Sequence, residues 1–159
     1  MNSHNKYIEE IALQALKKVD CKNPPVPVEK IANEFGLEVI EFPFHEKISG
    51  LLKKEEGIIG VNKGQPPVRR RFTVSHELGH FLLGHGMENA QEEMIEGSFD
   101  KPLPQEREAN MFASILLMPS KWVREEVEKK GKIDIDELSQ TFGVSKQAMT
   151  IRLLYLKLI

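Results

Sequence analysis

Arg71-Phe72-Thr73-Val74-Ser75-His76-Glu77-Leu78-Gly79-His80-Phe81-Leu82-Leu83-Gly84 places two histidines four residues apart in a segment of helical periodicity. At ~100° per residue, His76 and His80 project from one face, about one turn apart, so both imidazoles can reach a single cation. Val74, Leu78, Phe81 and Leu82 fall on the opposite side. The spacing therefore predicts a helix from about Val68 to Leu83, with an apolar back, a polar front and Gly84 as its stop. Glu77 lies one step round from His76, beside a metal and not on it, where a base acting on metal-activated water belongs. The blander reading makes His76 and His80 ordinary hydrogen-bonded histidines, and the search for a third ligand weighs against it.

A catalytic zinc site has three protein ligands and one open position. His85, Glu106 and Glu108 are the candidates for the third. His85 follows His80 by five residues, past Gly84, which puts it at the helix end on the apolar side, as a capping or satisfied histidine. His4 and His45 carry no ligand pattern. Two residues apart on a helix is ~200° of rotation, so Glu106 and Glu108 cannot both face the metal. Met111, Phe112 and Ile115 surround Glu108, whereas Ala109, Asn110 and Ala113 flank Glu106. Small residues permit close helix approach, and Asn110, one turn on, can accept the remaining ring N–H of a ligating histidine. Glu106 is thus the preferred third ligand of one zinc ion and Glu108 the alternative.

Around this centre the pattern predicts an α+β protein. Asn5 to Val19 has helical spacing, Asn23 to Pro27 breaks the chain, and Val28, Ile31, Ala32 and Phe35 form one face of a short helix stopped by Gly36. Leu37–Pro43, Leu51–Leu52 and Ile58–Val61 read as strands of a small antiparallel sheet, with a hairpin turn at Glu55-Glu56-Gly57. Ile58–Val61 is a candidate edge for pairing with an extended substrate. After the histidine helix, helices are predicted over Gln105–Leu117, Pro119–Lys130, Asp134–Phe142 and Ser145–Leu156.

The 159 residues suit one compact domain, or a core with a small helical appendage. The composition is 40% hydrophobic and 29% charged, which excludes a wholly disordered chain. The longest apolar run, Ile115 to Met118, is far too short to span a bilayer. One cysteine, Cys21, cannot form an internal disulfide, which points to a reducing, cytoplasmic setting. It reads as a small packed thiol, since no histidine is patterned with it. A net charge of −2 gives no general field for nucleic acid.

Leu138 to Leu154 has the form of a helix-turn-helix, with Gly143 at the turn and Ser145 capping the second helix. Its second helix is mostly apolar and the segment carries few cations, so a hairpin packed on the core is expected and direct contact with nucleic acid is not. Arg69-Arg70-Arg71 reads as a solvated helix start, or else as a dock for an acidic group. The loop bearing Glu88, Glu92, Glu93, Glu96 and Asp100 is a lid or a solvated connection. Tyr155 and Arg152 are conceivable donors to an oxyanion.

Arg71 to His80, Glu106 to Ala113 (Glu-Arg-Glu-Ala-Asn-Met-Phe-Ala), Leu116-Leu117-Met118-Pro119 and Pro27 to Ala32 together resemble the ImmA/IrrE family of metallopeptidase-like proteins. The likeness runs from about Pro25 to Leu156. It implies a mostly helical, zincin-like core with a small sheet, zinc on His76, His80 and the glutamate of the E-x-x-A-N pattern, Glu106, and Glu77 as base. It also implies cleavage of a DNA-binding repressor of the helix-turn-helix type, often in a mobile-element or stress setting. On this basis residues 1–131 form the metallopeptidase-like domain, and 132–159 a helical hairpin packed on it as one unit. The competing readings are a DNA-binding regulator and a zinc-binding sensor without turnover.

Overall fold

A computed structural model describes residues 2–85 and 103–159. Its helices are α1 (Ser3–Leu16), α2 (Val28–Glu34), α3 (Pro67–Leu82), α4 (Pro104–Leu117), α5 (Ser120–Lys130), α6 (Ile135–Phe142) and α7 (Lys146–Tyr155). Its strands are β1 (Glu38–Phe42), β2 (Gly50–Lys53) and β3 (Ile58–Asn62). The α+β class and the predicted elements are present, with ends shifted by up to three residues.

The sheet is mixed, not wholly antiparallel. β2 and β3 form the expected antiparallel hairpin, but β1 pairs with β3 in parallel, Glu38 opposite Ile58 and Phe42 opposite Asn62. The strand order β1-β3-β2 puts β3 in the middle. Ile58–Val61 therefore has a neighbour on each side, and cannot take an added strand. Hydrophobic alternation does not report strand direction, so the sequence pattern alone leaves this pairing hidden. It is the hairpin turn, with Gly57 at φ +66°, that fixes β2 against β3.

α3 is the central element, packed against β2, β3, α2 and α4. Every residue from Thr73 to His80 is buried, so the expected polar front does not face solvent. The α3–α4 seam is tight because Gly79 has no side chain: a Cβ there would lie 2.9 Å from the Phe112 ring. Phe112, Ala109 and Ala113 are themselves fully buried. Gly50 plays the matching part under the sheet, where a Cβ would meet Thr73 at 2.4 Å and approach Glu77.

The arginine run is structural and not a solvated start. Arg70 pairs with Glu29 at 2.7 Å and with Glu41, and Arg69 donates to Ser49 Oγ at 2.9 Å. Arg71 donates to the carbonyls of Val26 (2.8 Å) and Gly143 (3.1 Å), joining α3 to the α6–α7 turn. That turn has the predicted chemistry: Gly143 at φ +64°, then Ser145 Oγ accepting from Ala148 N–H. Leu138, Phe142, Val144, Met149 and Leu153 join the same buried cluster as Ile31, Val74 and Leu116. Arg152 is buried too, its Nε donating to the Met118 carbonyl at 2.9 Å, where it satisfies the carbonyl at the end of α4.

Candidate metal centre

Two elements bring the candidate ligands together. α3 presents His76 and His80 one turn apart, and α4 presents Glu106 in its first turn, where the helix dipole favours a carboxylate. His76 Nε2 lies 2.9 Å from Glu106 Oε2, His80 Nε2 lies 2.9 Å from Glu106 Oε1, and the two ring nitrogens are 3.1 Å apart. One ligand atom from each of the three residues falls within 4.8 Å of the others. Burial pushes the Glu106 carboxyl up, but the two imidazoles against its oxygens outweigh this and hold it down at about 2. The acid is therefore an anion at any pH near neutral.

Asn110, one turn along α4, has its Oδ1 2.8 Å from His76 Nδ1. With the amide oxygen as acceptor, His76 Nδ1–H donates, which leaves Nε2 as the ring atom on the side of Glu106. Glu108 points elsewhere: its Oε2 lies 2.6 Å from His85 Nε2 and its Oε1 2.6 Å from His4 Nε2. His85 is buried beside His80, with Nδ1 atoms 2.7 Å apart. It does not lie on an apolar side, as its sequence position suggests. Gly84, at φ +67°, turns the chain back after α3, and His85 N–H donates to the His80 carbonyl. A histidine just past a helix-ending glycine, with an acid two residues from the candidate ligand Glu106, is the sequence signal for this pair.

The donor set fits a divalent cation. Among the described residues, Glu77 Oε1 and Glu106 Oε1 are buried side-chain oxygens without an aligned hydrogen bond, although His80 Nε2 is near the latter. Leaving buried acceptors unsatisfied is costly, and a cation with its water would satisfy both. Two imidazoles and a carboxylate are also the ligand types zinc takes.

Glu77 is 1% exposed, enclosed by α3's own neighbours and the start of β2. Burial is the main cause that raises its carboxyl to about 8; the Glu106 charge adds to this and His80 opposes it. Its folded value thus lies above the ordinary 4.5, so the folded, metal-free protein holds a proton there that the unfolded chain releases. Stability from this group is complete below pH 4.5 and is lost as pH rises through about 8. Urea unfolding of chelator-treated protein should show a falling midpoint over that window, and Glu77→Gln should flatten this part of the profile. An equal slope in both proteins would refute the assignment.

A groove of about 610 Å³ continues the valley between α3 and α4 away from the centre. Phe72, Val68, Asn110 and Ser114 line it, with Ala148 and Ile151 of α7 as the third wall. On α3, Phe72 and Val68 continue the four-residue stripe of His80 and His76; on α4, Asn110 and Ser114 continue that of Glu106. Arg152 donates to the Met118 carbonyl and lies 5.6 Å from the centroid of the Tyr155 ring. The acidic loop with Glu88, Glu92, Glu93, Glu96 and Asp100 lies outside the described residues.

Comparison with known proteins gives a consistent result. The chain is 32% identical over 141 residues to an uncharacterized immunity region protein 2 of Bacillus phage phi105, covering 86% of this chain and 83% of that protein. In three dimensions it is similar to a Mycobacterium tuberculosis transcriptional regulator, with a TM-score of 0.64 and 15% identity over 96% of this chain. This chain spans only 47% of that structure, and at such identity the likeness concerns the fold alone. No helix among the described residues is long and apolar enough to cross a membrane. The family model of the IrrE N-terminal-like domain, Peptidase M78, matches residues 32–154, the span that holds α3, α4 and every candidate ligand, and the chain belongs to that peptidase family.

Proposed function

We propose that this chain is a zinc-dependent endopeptidase of the cytoplasm that cleaves a DNA-binding repressor of the helix-turn-helix type. The observation that carries the reading is the convergence of His76, His80 and Glu106, with the buried carboxyl of Glu77 next to them. His76, His80 and Glu106 hold the metal, Asn110 steadies His76, and Glu77 is the base. Zinc bound there supplies Lewis acidity, which makes water a nucleophile near neutral pH and polarises the scissile carbonyl. The positive charge also favours the carboxylate form of Glu77, against its burial. Glu77 then accepts the proton of the attacking water and returns it to the leaving amine. Its unpartnered Oε1 is the atom available for both transfers.

The substrate strand needs an edge, and β3 is interior. β2 is the outer strand on the side that meets α3, and Gly50 at its start adjoins Thr73 and Glu77. An extended peptide added to β2 would run past the base, while the groove beyond Asn110 accommodates apolar side chains of the same substrate. A repressor is the substrate class favoured by the immunity-region relative. Direct DNA binding is disfavoured because two of the hairpin's cations are engaged within the protein: Arg152 is buried on Met118, and Lys146 lies 2.9 Å from Asp136. Zinc-loaded protein is expected to cut a repressor encoded beside it, to stop on chelation, and to resume when zinc is returned. A zinc-loaded protein that leaves such repressors intact would favour the sensor reading instead.

A further inference from the structure

The centre is supported unequally on its two imidazoles. His76 rests on one amide, Asn110. His80 rests on a longer chain that runs from the helix end to α4 and on to α1: His80 Nδ1 to His85 Nδ1 at 2.7 Å, His85 Nε2 to Glu108 Oε2 at 2.6 Å, and Glu108 Oε1 to His4 Nε2 at 2.6 Å. Its inner members are enclosed and its outer end is not: the His85 side chain is 7% exposed, that of Glu108 26% and that of His4 58%.

Chemistry gives this chain a direction. A carboxylate only accepts, so both imidazoles against Glu108 must present N–H groups. A neutral His85 that donates from Nε2 has a bare Nδ1, and that atom accepts from His80. With a cation at the centre, His80 would bind it through Nε2 and carry its proton on Nδ1, the atom that faces the bare Nδ1 of His85. Glu108, which does not itself reach the centre, thus supports through His85 the proton arrangement required of a metal ligand. We infer that His85 and Glu108 are positioning residues that fix the ring orientation of His80 and hold its Nδ1–H during metal binding, with His4 of α1 closing the chain at the surface. This inference rests on the reading of His80 as a metal ligand and extends it to two residues outside the ligand set. Residues that orient a ligating histidine typically influence metal affinity by 10–100-fold.

The test uses zinc itself as the probe, in competition with a chromogenic chelator, on the full chain. Glu108→Gln keeps the side-chain volume but offers an amide that can donate as well as accept, so the enforced direction is lost. His85→Ala removes the link altogether. Both are expected to weaken zinc binding roughly 10–100-fold, and His4→Ala, at the exposed end, by less. Long-range ¹H–¹⁵N spectra of the zinc-loaded wild type should show a slowly exchanging His80 Nδ1–H, and faster exchange of that proton in Glu108→Gln. Should His85→Ala fail to fold, Glu108→Gln and the wild-type spectrum still decide the matter. Zinc affinity within twofold of wild type in Glu108→Gln, or a zinc-loaded wild type that binds the metal through His80 Nδ1, would overturn the inference. Neither readout involves turnover. Protein that shows the slowly exchanging Nδ1–H and the affinity loss yet cuts no repressor would retain this inference and sink the peptidase reading.

Discussion

Glu77→Gln is expected to bind one zinc per chain as tightly as wild type while cleaving its substrate about 10²–10⁴-fold more slowly, the usual loss for a positioned general base. Glutamine has nearly the same shape, so packing against Thr73 and Gly50 is preserved, but its amide cannot take a proton at neutral pH. The substitution separates two roles that lie three residues apart, since His80→Ala should lose zinc and cleavage together. Metal content measured beside single-turnover cleavage is the decisive pair of readouts. A Glu77→Gln protein that cleaves at the wild-type rate would remove Glu77 from the base role. One that loses zinc as well would show that the residue holds the site together and does not act in the chemistry.

The second large effect is expected at Gly79, which touches no ligand. Gly79→Leu adds a branched side chain where even a Cβ would lie 2.9 Å from one Phe112 ring carbon and 3.2 Å from two further Phe112 atoms. Phe112 is fully buried and cannot swing into solvent. Leucine improves intrinsic helix propensity by up to ~1 kcal/mol, but overpacking a closed seam costs ~1–3 kcal/mol, occasionally more, so the net change is destabilising. α3 must also move away from α4, and these two helices carry His76, His80 and Glu106. Both the urea midpoint and the zinc affinity should fall, with Gly79→Ala showing a smaller loss of each. A Gly79→Leu protein with an undiminished midpoint would mean that the seam can open, and that its closeness is not what sets the centre.

Elements with strong local signals are legible in the amino-acid sequence. Periodicity and the glycines at 84, 131 and 143 delimit the helices, and the spacing of His76 and His80 marks the centre. Non-local features are not legible there. Parallel pairing of β1 with β3, and hence the interior place of β3, depends on where residues 43–49, between β1 and the hairpin, carry the chain. The burial of the whole face from Thr73 to His80 depends on β2 and α4 arriving from either side, which no helical projection of α3 alone reveals. The role of the arginine run is hidden for a related reason: the acceptors of Arg71 lie 45 and 72 residues away in sequence. Glu106 and Glu108 are the instructive pair. Helical rotation sends them to different faces, but only the folded chain brings Glu108 to a second pair of imidazoles.

Arg71 stands five residues before His76 on the same helix, and its half-buried guanidinium is held by carbonyls at the entry to α2 and at the α6–α7 turn. Trimming the protein before α6 would therefore do more than shorten it. A cation would be left in the interior with two of its three carbonyl acceptors gone, at the root of the rod that carries both imidazoles. The last two helices are in this sense a bracket for the hydrolytic machinery, and engineering that treats them as a detachable tail should expect to lose the enzyme with them.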